Sequence, residues 1–201
     1  MNGLTALLVV DVQNDFCPDG ALAVAGGNRV VAPLNRAAAA FAAAGLPIFA
    51  TRDWHPPHTG HFQIHGGLWP VHCVQDTPGA AYHPDLRLPE HAIHLFKGID
   101  ERLDGYSAFD GVDATGTPLA SLLADRGVNH LYIGGLATDY CIRTSVLDAR
   151  NRGVAVTVLT DAIAGVDLTP GDSERALVEM QAAGAELRTV DAVINELCRR
   201  D

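Results

Sequence analysis

Leu4 to Val10 is a continuous apolar run that reads as a buried strand, and it stops at a carboxylate, Asp11. Comparable strand-length runs recur at Pro47 to Thr51, His91 to Phe96, His130 to Gly134, Val154 to Leu159 and Leu187 to Val190. Helical stretches lie between them. Asn28 to Ala44 is Ala-rich and ends at Gly45, with Pro33 moving its start toward Val31. Thr117 and Pro118 open a second helix as capping residue and first-turn proline, and Gly127 closes it. Asp139 to Arg152, Ser173 to Ala183 and Asp191 to Arg199 read as three more. Strands alternating with helices predict an α/β fold on a mostly parallel sheet. Without repeat, linker or low-complexity tract, residues 1–201 are expected to form one domain.

In such sheets, sites form beyond the carboxyl ends of the strands. Asp11 follows the first strand, Asp53 the second, Lys97 the third and Cys141 the fourth. Four chemically capable residues therefore fall at one edge. The stretches Arg52 to Pro89 and Gly98 to Gly116 lack regular pattern, and loops of that length are usually functional.

Gly134-Gly135-Leu136-Ala137-Thr138-Asp139-Tyr140-Cys141 reads as a strand breaking sharply into a helix. Thr138 suits the capping position, and Cys141 then lies in the first turn. The positive end of a helix favours a thiolate, and its free N–H groups could hold an oxyanion. A nucleophilic cysteine needs a base. Asp11 ends a buried run, so its pKa should rise into a range useful for proton transfer. Lys97 could hold that carboxylate. Taken singly, Cys141 could be a packing residue, Asp11 a loop cap and Lys97 a solvated strand end. Their common edge favours a site. Phe16, Trp69 and Tyr106 could wall a pocket for a flat ring or simply fill the core.

Five of the nine histidines fall between His55 and His72. Asp53 and His55 in extended chain share one side. Pro56, Pro57 and Gly60 could return His61 to the same point. Imidazoles with one carboxylate suit Zn, Fe or Mn, while a polar surface loop is the competing reading. His58 and His65 read as bystanders, and Cys73 as a buried structural thiol more than a soft ligand.

Composition excludes other classes. With 24 acidic and 14 basic side chains, the formal charge of −10 argues against a nucleic-acid surface. Apolar runs are too short for a signal peptide or membrane span, so the expectation is a cytoplasmic protein. The four cysteines are widely spaced and are expected as thiols or ligands.

Six stretches together resemble the nicotinamidase (pyrazinamidase) branch of the isochorismatase-like cysteine hydrolases. They are Val9 to Phe16, Arg52 to His55, Trp69 to Cys73, Phe96 to Gly98, Asp104 to Phe109 and Gly135 to Cys141. The resemblance implies an open six-stranded sheet with helices on both faces. It implies a triad of Asp11, Lys97 and Cys141, and one divalent ion (Zn, Fe or Mn) on Asp53, His55, His61 and His72. It also implies a cis bond between Leu136 and Ala137, which aims the N–H groups of Ala137 and Cys141 at an oxyanion. The implied activity is hydrolysis of nicotinamide to nicotinate and ammonia, a step of NAD salvage, with the ring between Phe16, Trp69 and Tyr106. A related amidase acting on another small amide, such as pyrazinamide, is the alternative. A metal-binding or sensor protein with an incidental thiol is the reading from another class. The expected partner is a small-molecule substrate, and self-association stays open.

Overall fold

The computed structural model describes residues 4–199. Six parallel strands form one open sheet: β1 (Leu4–Val10), β2 (Ile48–Asp53), β3 (Ile93–Lys97), β4 (Val128–Leu136), β5 (Ala155–Ala164) and β6 (Glu186–Arg188). Every pairing is parallel, a step beyond the mostly parallel expectation. The order across the sheet is β3-β2-β1-β4-β5-β6. The chain thus builds outward from β1 in one direction and then in the other. The crevice between β1 and β4, where the direction reverses, is where ligands enter sheets of this order.

The helices are α1 (Val31–Ala43), α2 (Leu119–Asp125), α3 (Arg143–Asn151), α4 (Asp172–Ala182) and α5 (Val190–Leu197). Strand period sorts β1 between two cores. Leu7 and Val9 join a core with Leu34 and Phe41 of α1 and Val193 and Leu197 of α5. Ala6, Leu8 and Val10 join the other, with Leu122 of α2, Val146 of α3 and Met180 of α4. A strand buried on both faces has no polar side to present, which is why its sequence lacks alternation. No helix among the described residues is long and apolar enough to cross a membrane.

Several boundaries differ from the sequence expectation. Thr117 does not cap α2: Pro118 holds that position, with no side-chain cap. The Thr117 backbone N–H and the Thr115 hydroxyl are instead drawn to the Asp113 carboxylate, in a tight turn. Nor does Thr138 cap the helix after β4. Ala137 occupies that position, and residues Thr138–Ile142 form one π-helical turn before α3 begins at Arg143. β4 and β5 also run several residues past their apolar runs. Their ladder slips between Ile133 and Gly135, where the Gly134-Gly135 pair interrupts the pleat.

Candidate active site and metal centre

Register brings the edge residues together. Asp53 and Lys97 end β2 and β3 as paired neighbours. Val10 pairs with Gly135, so Asp11 and the turn after β4 emerge side by side. Gly135 has φ +131, and an added Cβ would meet the Val10 carbonyl oxygen at 2.0 Å. That close approach requires glycine. The Leu136–Ala137 peptide bond is cis.

Asp11, Lys97 and Cys141 meet in the interior. Lys97 Nζ lies 2.9 Å from Asp11 Oδ2 and 3.4 Å from Cys141 Sγ. It also donates to Asp53 Oδ1 and, at 3.0 Å, to the Gly105 carbonyl. Asp11 and Lys97 are fully buried. Burial, abetted by the Asp53 charge, raises Asp11 to about 6 against the pull of Lys97 and Thr51. For Lys97, burial works downward, but the two carboxylates prevail and hold its pKa well above the ordinary lysine value. Asp53 is likewise pushed up by burial, yet Lys97 and His55 bring it below the usual carboxylate range. The triad cation is therefore fixed, and Asp11 is the member poised to exchange a proton near neutrality.

Cys141 departs from the helix-terminus expectation. Burial pushes its thiol well above the ordinary value; Lys97 pulls it back in part, and the carboxylates of Asp11 and Asp53 raise it further. The resting sulfur is a thiol, and attack by it would require a base to take its proton. The Ala137 carbonyl accepts from Tyr140 N–H at 3.2 Å and Ile142 N–H at 3.1 Å, on either side of Cys141. Ser145 Oγ fixes the turn by donating to the Cys141 carbonyl at 2.6 Å.

Beside the triad, His55, His61 and His72 converge. One ring nitrogen of each lies within 4.8 Å of the others, and all three residues are buried. Each ring has its Nδ1 engaged: His55 donates to the Gly98 carbonyl (3.1 Å), His61 to Asp104 (2.7 Å) and His72 to the Pro70 carbonyl (2.7 Å). Those bonds fix the tautomer and leave the Nε2 lone pairs for a ligand. His55 Nε2 is buried without a hydrogen-bond partner, and Asp53 Oδ2 lies 3.7 Å away. Burial lowers His72 to about 4 and lowers His61 as well, which keeps both neutral. An orphaned buried nitrogen, two neutral imidazoles and a facing carboxylate fit a divalent cation. Gly98 makes room for the ring: with φ +66, its Cβ would fall 2.4 Å from His55 Cε1.

His58 and His65 stand outside this cluster, exposed and against each other at 5.5 Å. Cys73 is buried, its thiol pushed up chiefly by desolvation, and it does not join the three imidazoles.

A cleft of about 330 Å³ opens onto Cys141, with Phe16, Trp69, Tyr106, His61 and His72 in its walls. Trp69 Nε1 donates to the Tyr106 hydroxyl at 2.8 Å, locking two wall rings together. The three aromatics singled out in the sequence thus line one cleft with the thiol. Sequence reasoning missed Thr51, which holds Asp11, Asp104, which holds His61, and Tyr140, which joins the cleft wall. Thr51 could have been found, since it sits two residues before Asp53 on one strand face.

Known proteins share this arrangement of chain. A nicotinamidase from Escherichia coli (strain K12) is 41% identical, over 92% of this chain and 94% of its own. The crystal structure of a pyrazinamidase of Pyrococcus horikoshii in complex with zinc superposes with a TM-score of 0.85 at 43% identity, covering 92% of this chain and 98% of its own. A protein from L. infantum in complex with nicotinate superposes at 0.81 with 33% identity, covering 96% of each chain. The Isochorismatase domain model matches residues 5–192. Fold and sequence agree: the chain belongs to the isochorismatase family, among relatives that include the nicotinamidases and pyrazinamidases.

Proposed function

We propose that this protein is a metal-containing amidase that hydrolyses nicotinamide to nicotinate and ammonia through a thioester on Cys141. The observation that carries this reading is the meeting of a buried thiol, a carboxylate titrating near 6 and a lysine where an aromatic cleft opens onto the thiol. Relatives named for this activity, and one solved with nicotinate, support it.

In this reading Phe16, Trp69 and Tyr106 hold the pyridine ring. Asp11 takes the Cys141 proton as sulfur attacks the carboxamide carbon, and Lys97 steadies the sulfur charge. The N–H groups of Ala137 and Cys141 receive the oxyanion. The C–N bond then breaks, and Asp11 returns its proton to the departing ammonia. A water gives a proton to Asp11 and adds to the thioester carbon. The C–S bond breaks, Cys141 regains the proton, and nicotinate leaves.

Asp53, His55, His61 and His72 would hold the divalent ion, a donor set suited to Zn, Fe or Mn. When bound, it would supply a positive centre for orienting and polarising the substrate. Within the same reading the reaction belongs to NAD salvage in the cytoplasm.

Ammonia release from nicotinamide, coupled to elemental analysis, tests the assignment. Cys141→Ala should abolish turnover and keep the metal; substantial residual activity sinks the nucleophile. A relative named pyrazinamidase favours one further substrate. A panel including pyrazinamide would show whether another small amide is turned over far more efficiently.

A further inference from the structure

Tyr140 is held differently from Trp69 and Tyr106, the two cleft rings that share a hydrogen bond. Its ring meets Trp69 at 4.8 Å and Tyr106 at 5.7 Å, both by ring contact, and its hydroxyl makes no hydrogen bond among the described residues. Trp69 and Tyr106 are bonded to each other. The backbone on either side of Tyr140 is pinned. The Asp139 carboxylate accepts from the N–H groups of Val166 (2.9 Å) and Asp167 (2.8 Å), and the Cys141 carbonyl is held by Ser145. The Tyr140 side chain can therefore change without displacing the nucleophile beside it.

This side chain lines two clefts at once. One is the cleft over Cys141; the other is an open groove at the surface between the π-helical turn and α4. The charges of the second cleft answer one another. Arg143 donates to both Glu179 oxygens at 2.6 and 2.7 Å, and Arg175 pairs with Asp172. What lies behind Tyr140 is room bordered by compensated charge, which suits a neutral extension of an aromatic ring.

We propose that Tyr140 sets the upper size of the ring this site accepts, acting as the partition that excludes fused bicyclic carboxamides from the cleft. The inference rests on the amidase reading above and names its substrate boundary. The test compares wild type, Tyr140→Ala and Tyr140→Phe. One arm measures kcat/KM for quinoline-3-carboxamide against nicotinamide; the other measures Kd by calorimetry for the two corresponding acids.

Removing the ring should shift both ratios toward the bicycle by about tenfold or more, the scale set by a few methylenes of pocket space. Tyr140→Phe, which keeps the partition, should hold the wild-type ratios. Ratios within twofold of wild type in Tyr140→Ala would overturn the proposal. So would loss of both acids by that variant at an unchanged melting temperature, since Tyr140 would then be a required wall. If wild type binds the acids but releases no ammonia from nicotinamide, the amidase reading fails, and the Kd ratios still decide the role of Tyr140.

Discussion

Thr51 Oγ1 donates a 2.6 Å hydrogen bond to Asp11 Oδ1, and the same oxygen accepts from the Asp11 backbone N–H at 3.2 Å. This doubly tied hydroxyl leaves Oδ2 for Lys97. Thr51→Val keeps the shape and removes the bond. A hydrogen bond to a charged group is worth about 1.5–3 kcal/mol, so kcat for amide hydrolysis should fall roughly 10- to 100-fold. Thr51→Ser should recover most of the loss; equal rates in Val and Ser variants would refute the positioning role.

Asp11 must be ionised to accept the thiol proton, and its pKa stands at about 6. Lowering the pH through that value protonates it. The kcat/KM profile should therefore fall on the acid side with a midpoint near 6, about tenfold per unit further down. Burial raises this pKa and Thr51 lowers it, so Thr51→Val should move the midpoint upward. A profile flat down to pH 5 would remove Asp11 from the role of base.

Lys97 separates two buried carboxylates, Asp11 and Asp53. Lys97→Met removes the cation that both share, and breaking a buried pair typically costs about 3–5 kcal/mol. Thermal unfolding at pH 8 should show a large loss of stability along with loss of turnover. The deficit should shrink at pH 5, where one carboxylate can take up a proton. An equal deficit at both pH values would contradict this account.

Asp104 is exposed, yet its carboxylate holds the Nδ1 of His61, whereas the Nδ1 of His55 and of His72 use backbone carbonyls. Asp104→Ala should weaken metal retention by about 10- to 100-fold in chelator competition. Asp104→Asn, which can still accept a bond, should fall between. Unchanged retention in both would show that His61 is oriented by packing alone.

The sheet-edge residues are legible because Asp11, Asp53 and Lys97 each stand at the end of a strand, and their fall at one edge with Cys141 outweighs the loop-cap and solvated-end readings that each allows singly. The histidine loop was legible from composition. Asp104 was not: it meets His61 only because the two loops pack, with Gly60 N–H on the Glu101 carbonyl at 3.1 Å. The π-helical turn was hidden as well. Thr138 reads as a cap, but the chain turns one residue earlier, and Ala137 takes that place. The thiol pKa was misjudged because a helix terminus is visible in sequence, whereas the depth of burial that outweighs it is not.

The strand order divides the chemistry unevenly along the chain. Everything up to β3 carries the proposed base, the lysine and all four proposed metal ligands, while the proposed nucleophile and both proposed oxyanion donors follow β4. Within the sheet the two stretches are joined by the β1–β4 ladder, from Leu4 against Val128 to Val10 against Gly135. Neither stretch is a smaller version of the enzyme. Within the amidase reading, a chain cut between β3 and β4 would part all four proposed metal ligands and the proposed base from the proposed nucleophile.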